Sequence, residues 1–204
     1  MSAGVDMAGL PAVADPVPGD AAGLALPAGG VRRALFLDRD GIVNINHGYV
    51  HTPEATDWVP GVFELARAAR RAGWLLVVAT NQAGIARGYY NRAQFEDYTR
   101  WVHACFAAEG APLAATYYCP HHPEAGIGAL GVECGCRKPK PGLLLRAAVD
   151  LDIDLAASML LGDSPSDIAA ADAAGIPLAV LCRSEARAGG LAGLAGLFDG
   201  GHHP

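Results

Sequence analysis

The stretch ALFLDRDGIV, residues 34–43, joins a short apolar run to two aspartates that are separated by one residue. The run ALFLD (34–38) is apolar and ends in polar residues, which predicts a buried strand. Asp38 and Asp40 follow where the chain leaves that strand, so their carboxylates can face the same side. Such a pair can bind a divalent cation, or one member can act as nucleophile and the other as acid or base. Taken alone, the same letters also fit a solvated turn with an aspartate cap.

Four further apolar runs repeat this pattern along the chain: LLVVAT, TYYC, SMLLGD and PLAVLC, at 75–80, 116–119, 158–163 and 177–182. Helix-like segments lie between the runs, with start signals at Pro60-Gly61, Asn91, Pro141 and Ser164. The alternation predicts an α/β fold, a doubly wound, Rossmann-like parallel sheet with helices on both faces. In such folds, ligands bind beyond the carboxyl ends of the strands.

The ends of the other predicted strands carry groups that suit an anionic ligand. Thr80 ends the second strand, Lys138 lies in a loop stiffened by prolines, and Asp163 closes SMLLGD. Each alone also fits an ordinary turn, a charged loop or a helix cap. Together they suit phosphoryl transfer, in which carboxylates hold Mg²⁺ while a lysine and a hydroxyl neutralise phosphate oxygens. No Walker-type GxxxxGK[ST] motif occurs, so a P-loop is not indicated.

The composition fits one globular domain. The chain has 204 residues, 51% of them apolar, and a net charge of −6. A chain of this length can form a hydrophobic core that is stable without disulfide bonds. The acidic net charge argues against a broad nucleic-acid-binding face. The sequence contains neither an apolar run long enough for a membrane span nor the basic start of a signal peptide. We therefore expect a cytoplasmic protein without a membrane partner.

The two ends of the chain differ in composition from its middle. Residues 1–31 are rich in Ala, Gly and Pro, and we interpret them as a flexible N-terminal extension. The stretch after about Arg187 is rich in Gly, Ala and Leu, which predicts a fraying C-terminal tail over 188–204. These interpretations leave one domain, residues 32–187.

Three of the five cysteines and two of the seven histidines fall within residues 117–142, YYCPHHPEAGIGALGVECGCRKPKPG. A disulfide, a catalytic thiol and a metal site are the alternatives. A cytoplasmic location argues against the disulfide. Three thiolates and one imidazole suit a tetrahedral Zn²⁺ site, although single-residue spacers are tighter than those of zinc fingers.

Five segments of the chain together resemble the haloacid dehalogenase superfamily of phosphatases. Within it, they resemble the enzymes that remove the 7-phosphate from heptose 1,7-bisphosphates on the route to nucleotide-activated heptose. The segments are FLDRDGIVNINHGYVH (36–51), TNQAGIARG (80–88), YYCPHHP (117–123), ECGCRKPKPG (133–142) and LLGDSPSDIAAADAAGI (161–176). The likeness covers roughly residues 33–183. It implies a monomer with no large cap domain and with a zinc-bearing loop.

The resemblance also implies roles for individual residues. Asp38 would be the nucleophile and Asp40 the general acid and base, while Thr80 and Lys138 would stabilise the phosphoryl group. Mg²⁺ would bind the Asp38 carboxylate, the Asp40 backbone carbonyl and Asp163. Implied substrate contacts are Arg39, Asn46, His47, Gly48, Tyr49, Asn81, Gln82, Ala83 and Arg137. Implied ligands of a structural Zn²⁺ are Cys119, His121, Cys134 and Cys136.

The same residues also fit other classes of protein. Histidinol-phosphate phosphatases carry a similar zinc loop, and the TNQAGIARG segment also resembles polynucleotide 3′-phosphatases. A phospho-acceptor receiver module and a zinc-based nucleic-acid module are the non-enzyme alternatives. Ile42, Asn46 and Ser164 depart from the pattern expected of the heptose enzymes. The departures at Asn46 and Ser164 concern the substrate contacts rather than the phosphatase chemistry.

Overall fold

The computed structural model of the protein describes residues 14–19, 32–182 and 190–198. These residues contain a six-stranded sheet with the strand order β1-β4-β3-β2-β5-β6. The strands β2 to β6 pair in parallel, and β1 pairs antiparallel with β4. The prediction of a parallel α/β sheet is confirmed. The strands are β1 (Val17–Pro18), β2 (Ala34–Leu37), β3 (Leu75–Asn81), β4 (Ala115–Cys119), β5 (Met159–Gly162) and β6 (Leu178–Leu181).

Helices cover both faces of the sheet because its central strands are apolar on both sides. Leu35 and Leu37 of β2 pack in one core cluster with α1 and α3, whereas Ala34 and Phe36 pack in another with α4 and α5. Among the described residues, no helix has the length and apolarity needed to cross a membrane. The helices are α1 (Val62–Arg71), α2 (Ala83–Ala86), α3 (Arg92–Ala108), α4 (Gly142–Leu151) and α5 (Pro165–Ala174).

Local sequence signals explain where α3 and α5 begin. The Asn91 side chain accepts a hydrogen bond from the backbone N–H of Gln94, and the Gln94 side chain accepts one from the backbone N–H of Asn91. Ser164 and Asp167 form the same reciprocal capping box before α5. The connection from β2 to α1 spans residues 38–61 and contains one short 3₁₀ helix, Pro53–Ala55. No cap domain interrupts the fold within residues 32–182, in agreement with the expectation.

Part of the predicted N-terminal extension joins the sheet. Val17 is buried and pairs with Thr116 of β4, while Pro18 pairs with Ala115. Without β1, β4 would be an edge strand with unpaired backbone groups, and a short added strand covers that edge. The expectation of flexibility over residues 1–31 is therefore wrong for residues 14–19. The remainder of the extension lies outside the described residues.

The described part of the predicted C-terminal tail is also ordered against the domain. Gly190–Phe198 forms a 3₁₀ helix, and the backbone of Leu191 donates to the carbonyl of Pro60 at 2.8 Å. The Leu191 side chain is fully buried, and the ring of Phe198 lies 5.3 Å from that of Trp74. Burial of these apolar side chains opposes the fraying that the composition suggests. The other residues of 188–204 lie outside the description, and the boundaries at 32 and 187 stay a prediction.

Candidate active site

A cleft of about 420 Å³ lies at the carboxyl edge of the sheet. Asp38 follows β2 directly, and its backbone N–H donates to the carbonyl of Leu161 on β5 at 2.9 Å. Parallel strands deliver the loops that follow them to one edge, so segments distant in sequence meet there. The cleft is lined by Asp38, Asp40, Asn46, Gly48, Tyr49, Thr80, Asn81, Gln82, Ala83, Gly84, Tyr90, Lys138, Asp163, Ser164, Ser166 and Asp167.

Lys138 is a buried cation at the floor of the cleft. Its Nζ donates to Asp38 Oδ1 at 2.8 Å and to the carbonyl of Ala79 at 2.8 Å, and it pairs with Asp167 Oδ1 at 2.5 Å. Two of these contacts are hydrogen bonds and the third is an ion pair, so oxygen atoms surround the ammonium group. Burial alone would lower the pKa of Lys138, but the charges of Asp38 and Asp167 outweigh it and raise that pKa. The side chain is therefore held as a cation beside Asp38.

The acidic side chains of the cleft outnumber this cation. Burial raises the pKa of Asp38 to about 7, since the attraction of Lys138 offsets only part of the burial and Asp167 adds repulsion. Burial, followed by the charge of Asp167, also raises the pKa of Asp163. Each of Asp38, Asp163 and Asp167 offers a carboxylate oxygen within 4.8 Å of the others. A hard divalent cation such as Mg²⁺ would neutralise this charge, and carboxylate oxygens are the ligands it prefers.

Asp167 has other partners within this acidic group. Its Oδ2 accepts from the backbone of Ser164 at 3.0 Å, and its Oδ1 pairs with Lys138. Both of its oxygens are thereby engaged in capping α5 and holding the lysine. Asp38 and Asp163 are the carboxylates left to face a metal, and Asp167 supports Lys138 and α5.

Gly41 lets the loop after β2 approach Asp163. Its φ is +95°, and a Cβ at this position would lie 2.0 Å from Asp163 Oδ2. Only glycine combines this backbone conformation with so close an approach. The glycine of the DRDG stretch thus brings the two acidic segments together.

The Asp40 carboxylate is held by three donors. Arg39 contacts both of its oxygens at 2.8 Å, Asn44 Nδ2 donates at 3.1 Å, and Gln82 Nε2 donates at 3.2 Å. The Arg39 guanidinium is itself buried, donates to the carbonyl of Val50 at 2.7 Å and lies over the ring of Tyr98. Asp40 therefore points into the cleft in one fixed orientation.

The implied substrate contacts fall into two groups. Asn46, Gly48, Tyr49, Asn81, Gln82 and Ala83 line the cleft, together with Thr80. Among the described residues, Arg39, His47 and Arg137 are not part of that lining. His47 is exposed and bonded to Asp57 at 2.8 Å, while Arg137 donates to the carbonyl of His121 at 3.2 Å. Arg39 instead supports Asp40 from the interior.

Two residues that contact the site had not been singled out from the sequence. Asn44 holds Asp40, and the hydroxyl of Tyr90 donates to Gln82 Oε1 at 2.6 Å. Asn44 lies within the segment 36–51, and Tyr90 lies two residues after the segment 80–88. An asparagine or a tyrosine at these positions does not by itself predict the contacts, because the contacts depend on how the two segments fold back.

The four predicted zinc ligands lie together beside this cleft. The sulfur of Cys136 is 3.2 Å from those of Cys119 and Cys134, and it lies 3.4 Å from His121 Nδ1. All four ligand atoms are within 4.8 Å of one another. The hydrogen bond between Cys119 and Cys136 lowers the pKa of Cys119 to about 5 and raises the pKa of Cys136, so Cys119 ionises first. Three sulfurs and one nitrogen at these distances fit a closed tetrahedral site for Zn²⁺.

Comparison with known proteins connects the site with a group of enzymes. Over 151 residues the chain is 48% identical to D-glycero-beta-D-manno-heptose-1,7-bisphosphate 7-phosphatase of Vibrio cholerae, covering 74% of this chain and 81% of that enzyme. The chain belongs to the heptose-bisphosphate phosphatase family. A family member from Burkholderia mallei, named for the alpha anomer, is 51% identical over 149 residues, 73% of this chain and 79% of that enzyme.

A solved heptose-bisphosphate phosphatase has the same fold. The D,D-heptose 1,7-bisphosphate phosphatase of B. bronchiseptica, complexed with magnesium and phosphate, superposes with a TM-score of 0.64 at 30% identity. The superposition covers 81% of this chain and 97% of that one. Residues 135–191 also match the HAD-hydrolase-like family model. Membership of this family makes the chain a phosphatase and decides against the non-enzyme alternatives, the receiver and the zinc-based nucleic-acid module.

Proposed function

We propose that this phosphatase removes the 7-phosphate of a D-glycero-D-manno-heptose 1,7-bisphosphate through an aspartyl-phosphate on Asp38. The observation that carries the proposal is the pairing of Asp38 with Lys138, at 2.8 Å, in the same cleft as Asp40. A nucleophile, a proton donor and a cation are then within reach of one phosphoryl group. The names of the similar enzymes support the choice of sugar.

In the first step, a carboxylate oxygen of Asp38 attacks phosphorus. The bond between phosphorus and the sugar oxygen breaks, and protonated Asp40 gives its proton to that leaving oxygen. The cation of Lys138 and the hydroxyl of Thr80 stabilise the negative charge on the phosphoryl oxygens. The sugar leaves as an alcohol, and the phosphoryl group stays on Asp38.

In the second step, Asp40 acts as a base. It takes a proton from a water molecule whose oxygen attacks phosphorus, and the bond between phosphorus and Asp38 breaks. Inorganic phosphate is released, Asp38 is a carboxylate again, and Asp40 is protonated for the next substrate. The three donors on Asp40 keep its carboxyl in place for both proton transfers.

Mg²⁺ fits the acidic side of the cleft. Asp38 and Asp163 would hold it with their carboxylates, together with the backbone carbonyl of Asp40. When bound, Mg²⁺ supplies positive charge that lessens the repulsion between an anionic substrate and the carboxylates. The phosphatase complexed with magnesium and phosphate supports this cofactor.

Zinc is proposed as the second metal, with a structural role. Cys119, His121, Cys134 and Cys136 would fill its four coordination positions and leave none for substrate. Arg137 and Lys138 follow Cys136 directly, so a bound Zn²⁺ would hold the backbone that carries these cations. The predictions of a monomer in the cytoplasm, without nucleic-acid or membrane partners, accompany this proposal.

A comparison of three substrates tests the proposed sugar. Phosphate release is measured with the alpha and beta anomers of the heptose bisphosphate and with histidinol phosphate. We expect one heptose anomer to have the highest kcat/KM, by at least about tenfold over histidinol phosphate. A preference for histidinol phosphate would replace the proposed substrate but leave the phosphatase chemistry intact.

The variant Asp38→Asn tests the nucleophile. The amide is nearly the size of the carboxylate, so the chain should fold as before, but kcat should fall by at least about 10³-fold because no aspartyl-phosphate can form. Circular dichroism checks the fold and phosphate release checks turnover. Activity within tenfold of wild type in a folded Asp38→Asn protein would rule Asp38 out as the nucleophile.

A further inference from the structure

We propose that Gln82 and Tyr90 act together as positioning residues that aim Asp40 and Thr80 at the phosphoryl group. The inference rests on the proposed function, since it assigns the two residues to that phosphoryl transfer. Gln82 had been expected to contact the substrate, and Tyr90 had no expected role. Only 2% of Gln82 is exposed, and its side-chain amide is directed at catalytic residues.

The amide of Gln82 uses both of its hydrogens on the catalytic residues. Nε2 donates to Thr80 Oγ1 at 2.8 Å and to Asp40 Oδ2 at 3.2 Å. Asp40 Oδ2 is the acceptor in this contact, and an amide oxygen has no hydrogen to donate, so the nitrogen of the amide faces Asp40. The planar amide of Gln82 thereby connects Asp40, the proposed general acid and base, with the Thr80 hydroxyl, which we expect to bind phosphate.

This arrangement also sets the direction of the Thr80 hydroxyl. Because Thr80 Oγ1 accepts a hydrogen from Gln82, its own hydrogen is left to donate elsewhere. Thr80 lines the cleft, where a phosphoryl oxygen would be the acceptor. With the amide reversed, the oxygen of Gln82 would take the Thr80 hydrogen and would face Asp40 with no hydrogen to donate.

Tyr90 prevents that reversal. Its hydroxyl donates to Gln82 Oε1 at 2.6 Å and so marks the side on which the amide oxygen must lie. The tyrosine ring is held in place, since it stacks on His51 at 4.4 Å. A Cβ on Gly84 would lie 2.3 Å from the ring, so the helix α2 also packs closely against it. Burial raises the pKa of Tyr90 to about 12, and the hydroxyl keeps its proton.

Tyr90 also forms a wall between the cleft and a second cavity of about 530 Å³. Ile85, Pro120 and Leu130 also line that second cavity. The tyrosine lines the cleft on one side, and its hydroxyl reaches Gln82 there. The hydrogen bond to the amide is its link to both Asp40 and Thr80, and the charge of Arg39 acts on the hydroxyl as well.

The test compares Tyr90→Phe, Gln82→Leu and the double variant, with kcat and KM measured on the heptose bisphosphate and on a simple alkyl phosphate. Tyr90→Phe should lower kcat about tenfold, and Gln82→Leu should lower it about a hundredfold. In both variants, KM should stay within about twofold of the wild-type value. In the double variant, kcat should lie within about twofold of that of Gln82→Leu alone, because the amide that the Tyr90 hydroxyl positions is already absent there. Additive losses in the double variant, or a wild-type kcat in Tyr90→Phe, would overturn the proposal.

Tyr118→Phe is the matched control. Tyr118 is another buried tyrosine, and its hydroxyl donates to Glu96 at 3.1 Å, outside the cleft lining. Its variant loses a comparable hydrogen bond and should keep the wild-type kcat. A purely structural role for Tyr90 would make the two variants alike in both kcat and melting temperature.

A measurement without turnover completes the test. Hydrogen exchange of the Gln82 side-chain amide, followed by NMR, should be slow in the wild type and at least about tenfold faster in Tyr90→Phe. Equal exchange rates would contradict the contact. If the alkyl phosphate is hydrolysed and the heptose bisphosphate is not, the proposed substrate fails while the Tyr90 comparison still decides this inference.

Discussion

Lys138 is held through its side chain and its backbone at the same time. The ammonium contacts Asp38, Asp167 and the carbonyl of Ala79. The backbone N–H of Lys138 donates to Asn81 Oδ1, and its carbonyl accepts from Asn81 Nδ2, both at 3.0 Å. Asn81 had been expected to bind substrate, but both of these bonds serve the lysine. A loop residue is thereby held as firmly as a residue within a strand.

Asn81→Ala should therefore disturb Lys138 rather than the sugar. The variant removes both backbone bonds and leaves two half-buried polar groups without their partner. We expect kcat to fall about 10- to 100-fold on any phosphate monoester, and steady-state kinetics on the two substrates named above checks this. Asn91→Ala is the control, because Asn91 caps α3 and its loss should lower stability but leave kcat unchanged. A fall confined to the heptose substrate would favour the original role in substrate binding.

Strands β3 and β4 connect the cysteine cluster to the catalytic edge. They pair up to their last residues, Asn81 opposite Cys119, and the backbone of Gln82 then donates to the carbonyl of Cys119 at 2.8 Å. The cluster is thus tied to the residues that hold Lys138 and Asp40. Its remaining ligands lie in the loop that leads to Lys138 itself.

Removal of the proposed zinc should reduce activity without unfolding the sheet. Cys134→Ser takes away one ligand, frees the loop before Arg137, and should lower both the zinc content and kcat, the latter at least about tenfold. Elemental analysis measures zinc per chain, and phosphate release measures kcat. Cys105→Ser changes a cysteine of α3 outside the cluster and should leave both values unchanged. Fully active wild-type protein that contains no zinc would contradict this role.

The 3₁₀ helix of residues 190–198 should contribute to stability through its buried face. Leu191→Ala removes a fully buried side chain and should lower the free energy of unfolding by about 2–4 kcal/mol. Urea denaturation measures the change. Leu197 lies in the same helix and is 49% exposed. The substitution Leu197→Ala should therefore change the free energy of unfolding by less than about 0.5 kcal/mol. Equal effects of the two substitutions would mean that this helix does not pack on the domain in solution.

Over the whole molecule, the sequence predicted what depends on continuous local patterns. The apolar runs became β2 to β6, and the capping residues Asn91 and Ser164 begin α3 and α5. The acidic and basic residues after those strands met at one cleft because a parallel sheet requires it. The predicted roles of the individual cleft residues stay predictions.

Features that depend on distant packing were not predictable in this way. A strand of two residues, Val17–Pro18, is too short to show a period, and only the open edge of β4 gives it a partner. The Gly- and Ala-rich residues 190–198 have no capping signal, and their order depends on the surface offered by α1 and Trp74. The contact of Tyr90 with Gln82 likewise exists only after the segment 82–90, which contains α2, has folded back.

His103 lies where β1 pairs with β4, and it should make the free energy of unfolding depend on pH. His103 is hydrogen-bonded to Thr116, and burial lowers its pKa to about 4, although the backbone of Pro18 partly offsets that effect. The unfolded chain binds this proton near pH 6.5, so the stability that His103 provides is complete above pH 6.5 and declines toward pH 4. The loss reaches at most about 3 kcal/mol.

The His103→Gln variant isolates this contribution from the other titrating groups. The glutamine carries no charge at any of these pH values, so the difference in unfolding free energy between wild type and variant should change steadily from pH 6.5 to pH 4. Urea denaturation at a series of pH values measures that difference. A difference that stays constant over this window would show that His103 does not titrate as the structure indicates.

The central position of β2 has a consequence for how the protein is made. β2 lies between β3 and β5, and Asp38 depends on a backbone bond to Leu161 for its place. The ribosome releases β5 roughly 120 residues after β2, so the nascent chain carries its nucleophile long before the partner strand exists. A chain still under synthesis, or one truncated before β5, can therefore hold Asp38 and Asp40 without being a phosphatase. The enzyme becomes competent only after β5 has been synthesised and has paired with β2.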